Sequence, residues 1–118
     1  MPAEAQALAE LRAAILRGDW NTAARHAEAG LSEHPDSLEL RRALAGIQRQ
    51  LGRPDEAEAL LRTVLARDPG DFAGAFTLAE VLLDAGRGAA AADTLQHCFA
   101  TGTHDAEFAI RAIELLDE

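Results

Sequence analysis

The sequence predicts an all-α fold of seven helices: three helix–turn–helix pairs followed by one closing helix. Three observations predict it. The first is composition. The chain has 118 residues, 27 of them alanine, no tyrosine and only five aromatics: Trp20, Phe72, Phe76, Phe99 and Phe108. Alanine has the highest helix propensity, and its small side chain lets helices pack closely. The second is a single internal period. It is shared by Gly18, Gly52 and Gly86, by Ala23, Ala57 and Ala91, by Leu31, Leu65 and Phe99, by Pro35 and Pro69, and by Leu44 and Leu78. Five concordant series mean a tandem array. The third is that apolar residues within each unit follow helical spacing and stop at glycine or proline.

Taken in order, the leading helix runs into Gly18-Asp19-Trp20, the first mid-turn. Here the pattern strays. In strict register Glu10 falls where leucine is expected and Leu11 where a small residue is expected. A one-residue slip puts Leu8, Leu11 and Ile15 on the buried stripe and buries no carboxylate, so the slip is the expectation. The second helix ends at His34-Pro35-Asp36-Ser37. The third, within Leu38–Leu51, carries Leu40, Ala43, Leu44, Ile47 and Leu51 at helical spacing. Gly52-Arg53-Pro54-Asp55 then breaks it: Gly52 suits a left-handed residue after a helix end, and Pro54 the first turn of the next helix. The fourth helix carries Ala57, Leu60, Leu61, Val64 and Leu65, and ends at Arg67-Asp68-Pro69-Gly70-Asp71 because proline cannot continue it. Asp71 is placed to cap the fifth helix. Gly86-Arg87-Gly88 is the third mid-turn, and Thr101-Gly102-Thr103-His104-Asp105 closes the third repeat without a proline. The closing helix is expected over 106–118, with its buried stripe either Phe108/Ala112/Leu115 or Ala109/Ile113/Leu116.

Small, Gly, Ala, large and Pro at these offsets, in a unit of about 34 residues, resemble the tetratricopeptide repeat. The stretch Gly52-Arg53-Pro54-Asp55-Glu56-Ala57 through Leu65-Ala66-Arg67-Asp68-Pro69 is similar to that family almost residue for residue. The resemblance covers nearly the whole chain. It implies a right-handed α-solenoid and a single domain over 1–118, with repeats at 4–37, 38–71 and 72–105 and a capping helix at 106–118. The family's three small positions fall on Ala45, Ala57 and Val64 in the second repeat and on Ala79, Ala91 and Cys98 in the third. Small residues fit where helix axes approach to about 8–10 Å. The pentatricopeptide family, with a slightly longer period and usually basic, RNA-binding chains, fits less well.

Charge and composition exclude several function classes. The net charge is −9, and all 11 basic residues are arginine. Such an acidic chain repels phosphate backbones and acidic membrane surfaces, so neither nucleic acid nor membrane is an expected partner. Lysine-free, alanine- and arginine-rich usage resembles that of a GC-rich bacterial genome. Cys98 is the only cysteine, so no internal disulfide forms, which fits a reducing, cytoplasmic setting. The residues from Met1 to Ala14 lack the basic start and apolar run of a signal peptide.

No catalytic, metal or cofactor site is expected. His26, His34, His97 and His104 have no i,i+3 or i,i+4 partner of metal-binding type. His97 and Cys98 are adjacent, and neighbours on a helix point about 100° apart, so Cys98 reads as a buried structural thiol. Trp20 reads as packing between the two helices of its repeat. Glu28, Glu33, Glu56, Glu58 and Asp93 read as solvated.

The resemblance places a ligand on the solenoid's concave face, lined by the first helix of each repeat. Carried onto this sequence, the family's groove positions are Glu39, Arg42, Gly46, Arg49 and Gln50 in the second repeat. In the third they are Ala73, Phe76, Glu80, Leu83 and Asp84, and in the first they lie near Ala5, Leu8, Arg12, Ile15 and Leu16. Arg42 and Arg49 suit carboxylates, Gly46 admits a ligand backbone, and Phe76 and Leu83 offer apolar anchors. The lysine and asparagine with which some relatives clamp a terminal carboxylate are absent; Leu8/Arg12, Arg42/Gly46 and Phe76/Glu80 stand there. The expected function is therefore a protein-interaction scaffold that binds a peptide or helix. The bland alternative has Arg42 and Arg49 solvated and paired with Glu39 or Asp84. Two other readings are an amino-terminal module of a larger enzyme and a homodimer through the terminal helices.

Overall fold

The computed structural model describes residues 3–101 and 114–115. Six α-helices occur among them: α1 (Ala3–Leu16), α2 (Trp20–Glu33), α3 (Leu38–Gln50), α4 (Pro54–Arg67), α5 (Phe72–Asp84) and α6 (Gly88–Thr101). Of the closing helix expected over 106–118, only Glu114 and Leu115 are described, both helical; the helix as an element, and the choice between its two stripes, lie outside the described residues.

The sequence period is visible in the backbone itself. Gly18, Gly52 and Gly86 have φ of 74°, 75° and 74°, the left-handed region that a side chain resists. After each, an N–H reaches back to close the helix end: Asp19 to the carbonyl of Ala14 at 2.9 Å, Arg53 to that of Gln48 at 2.9 Å, and Arg87 to that of Leu82 at 2.8 Å. Successive donors are one repeat apart, and so are successive acceptors. The helix starts are capped by side chains, as the turn residues require. Asp19 Oδ1 accepts from the Thr22 N–H at 3.2 Å, Ser37 Oγ from the Leu40 N–H at 3.1 Å, and Asp71 Oδ1 from the Gly74 N–H at 2.9 Å.

By compactness the chain divides into an amino-terminal half, Met1–Leu60, and a carboxy-terminal half, Leu61–Glu118. The division falls within α4. In the amino-terminal half, α1 packs on α2 and α2 on α3 around Leu8, Leu11, Ala14, Ala23, Ala24, Ala27, Leu40, Leu44 and Ile47. Gly30 lies at the tightest crossing: a Cβ there would stand 3.0 Å from both Ala7 Cβ and Leu40 Cδ1. Gln48 is buried where the next repeat has Leu82, and its Oε1 accepts from Arg53 Nη1 at 3.2 Å. In the carboxy-terminal half α5 packs on α6, and Leu61, Val64, Ala75, Leu78, Ala79, Val81, Leu82, Ala91, Leu95 and Cys98 are buried.

The burial that the slip predicts in the first helix is observed. Leu8 and Leu11 are buried and Ile15 is half-buried against the core, as expected. Yet the Ala14–Asp19 hydrogen bond and the left-handed Gly18 hold α1 in the common register. Glu10 occupies the leucine position and is exposed, at the edge of α1 that faces α2. It meets His26 Nδ1, with Oε2 at 3.1 Å.

Candidate functional site

The first helices of the repeats carry the residues at the expected groove positions. On α3, Glu39, Arg42, Gly46 and Arg49 recur every three or four residues and so share one stripe. Arg42, Gly46 and Arg49 are half-buried, and Glu39 and Gln50 are exposed. A Cβ built at Gly46 meets nothing within 4 Å, so the surface there is open. From α1, Arg12 reaches this stripe: its Nη2 lies 3.6 Å from Glu39 Oε1. Leu16, one turn further along α1, is 88% exposed. A second tie joins the same helices near their starts, where Ser37 Oγ donates to Glu4 Oε2.

Leu8 is a correction. At 8% exposure it belongs to the core, packed among Leu11, Leu40 and Leu44, and is unavailable to a ligand. Ile15 is half-buried against the same core, while Ala5 is exposed. Glu39 engages Arg12, which the sequence did not single out as its partner.

In the carboxy-terminal half, α5 presents Phe76, Glu80 and Leu83, all half-buried, with Ala73 and Asp84 exposed. Phe72, 46% exposed, packs edge-to-face on Phe76 with ring centres 6.5 Å apart and planes at 86°. Such a pair is worth roughly 0.5–1.5 kcal/mol beyond its area. The i,i+4 spacing of the two phenylalanines was the available signal for it.

The other chemistry-bearing residues have structural settings. Cys98 is 1% exposed while His97 is exposed, so the two do not form a nucleophilic pair. Burial pushes the Cys98 thiol up, helped by the carboxylates of Asp71 and Asp68, which keeps it protonated and unreactive. A cleft of about 340 Å³ between α4 and α6 is lined by Arg62, Leu65, Asp93, Thr94, His97 and Cys98 among others. Trp20 is half-buried against the amino-terminal core, as a packing residue. His34 ends α2. Its N–H donates to the Gly30 carbonyl at 2.8 Å, and its Nε2 is buried without a hydrogen-bond partner. Among the described residues no cluster of His, Cys, Asp or Glu is arranged to hold a metal ion, and no helix is long and apolar enough to cross a membrane.

Comparison with known families gives a match to the tetratricopeptide repeat over residues 14–80 and 52–116. The chain belongs to the tetratricopeptide repeat family. No curated protein sequence matches it. Among solved structures, it is similar to the TPR2B domain of yeast Sti1 in its pHsp70 complex, with a TM-score of 0.86 and 19% identity over 98% of this chain and 94% of that one. The Yersinia enterocolitica type III secretion chaperone SycD, solved with a peptide of the translocator YopD, gives 0.83 and 19% identity over 95% and 88%. A Thermobaculum terrenum O-GlcNAc transferase gives 0.75 and 26% identity over 83% of this chain but 19% of the transferase. The likeness to these structures shows the tetratricopeptide solenoid fold, built of paired helices. Protein binding is generic to such repeats, and domains this small are typically non-catalytic, although some neighbours are parts of enzymes.

Proposed function

We propose that this tetratricopeptide module is a protein-interaction scaffold that binds a peptide or helix on the outward faces of its first helices. The observation that carries the reading is the contrast within those helices. Between α3 and α5 the buried positions repeat as apolar or small residues, apart from Gln48 at the place of Leu82 and half-buried Arg41 at the place of Ala75, whereas the outward ones do not repeat: Glu39, Arg42, Gly46, Arg49 and Gln50 stand against Ala73, Phe76, Glu80, Leu83 and Asp84. Half-buried arginines and aromatics are the residue types that dominate binding energy in protein interfaces. The amino-terminal half supplies Arg12, Arg42, Arg49 and Gly46 for carboxylates and backbone; the carboxy-terminal half supplies Phe76 and Leu83 as apolar anchors beside Glu80 and Asp84. Repeats at 4–37, 38–71 and 72–105 in one domain belong to this reading, as do a bacterial source and a cytoplasmic setting.

The test is a purified partner titrated against wild type and the Arg42→Glu/Phe76→Ala double mutant. The expected result is binding weakened by at least about tenfold with the melting temperature nearly unchanged. Equal binding by the double mutant removes the face assignment. A second reading, a module of a larger enzyme, has one observation in its favour: the similarity of 83% of this chain to 19% of the transferase. Homodimerisation through terminal helices is the remaining alternative, and sedimentation reads it directly.

A further inference from the structure

We draw no further inference here: the strongest candidate, the groove between α1 and α2 where the carboxylates of Glu10 and Glu33 stand beside His26, is an acidic cluster at one edge of the fold, and nothing in the structure shows what covers it.

Discussion

α3 and α5 occupy the same place in consecutive repeats, and each is 13 residues long. Their inner faces obey the repeat. Leu44 and Ala45 are buried as Leu78 and Ala79 are, and Ser37 and Asp71 cap the two starts in the same way. Their outer faces do not: one carries arginines and a glycine, the other phenylalanine and carboxylates. The difference teaches where constraint acts. A solenoid stacks identical units, so any residue between helices must suit both neighbours. A residue on the outward face answers only to whatever binds it.

The largest effect that probes this comparison is loss of an inner leucine. Leu78→Ala and Leu44→Ala are each expected to destabilise by about 2–5 kcal/mol, measured by urea unfolding. Near-equal losses support equivalence of the two inner faces; a negligible loss at either site breaks it.

The next probe is an inner position where the two helices differ in size. Leu40 in α3 corresponds to Gly74 in α5, and a Cβ at Gly74 would lie 3.1 Å from Val64 Cγ1. Gly74→Leu, which copies the α3 residue into α5, is expected to cost about 1–3 kcal/mol by overpacking. A neutral result would mean that α4 and α5 can separate there without loss.

Gly46→Ala probes the outer face. No atom obstructs the added methyl group, and alanine is favoured over glycine within a helix by about 0.8–1.0 kcal/mol, so thermal stability should rise. Binding to a partner that lies close over Gly46 should fall at the same time. If stability and affinity both rise, Gly46 is not a point of close approach.

The smallest effect separates a charged cap from a neutral one. Hydrogen bonds from Thr22, side chain first and then backbone, hold the Asp19 carboxyl below its ordinary value, with lesser help from Arg17 and Arg25. A folded-state pKa below the unfolded one stabilises fully above the ordinary carboxylate range. That contribution is lost as pH falls through the lowered value. Ser37 caps α3 without a charge and has no such dependence. The small stability advantage of wild type over Asp19→Asn should therefore shrink as pH falls through that lowered value, read by acid unfolding of the two chains side by side.

Much of this was legible in the sequence because it depends on local backbone chemistry. Gly18, Gly52 and Gly86 announce left-handed helix ends, and Pro54 and Pro69 announce a start and a stop. The buried positions Ala45, Ala57, Val64, Ala79, Ala91 and Cys98 follow from the small positions that the family resemblance implies. Leu8 and Glu10 were harder, because their burial depends on which helices flank α1. Leu8 and Leu11 are buried and Glu10 is exposed, the stripe that the slip predicts, while the turn at Gly18 keeps the backbone in the common register. The Arg12–Glu39 and Glu4–Ser37 ties were not legible at all, since they join residues distant in sequence through packing. The outward positions of α3 and α5 are legible in place and not in content: the period says which residues look outward, and nothing periodic says what they meet.

The account's central claim is that binding chemistry resides in the outward, non-repeating positions of the first helices. Exchanging those of α3 for their α5 counterparts tests it most directly: Glu39→Ala, Arg42→Phe, Gly46→Glu, Arg49→Leu and Gln50→Asp in one chain, titrated with a purified partner that binds the wild-type chain. The expected result is an unchanged helical circular dichroism spectrum, cooperative melting, and binding weakened by about tenfold or more. Undiminished binding by the exchanged chain would contradict it.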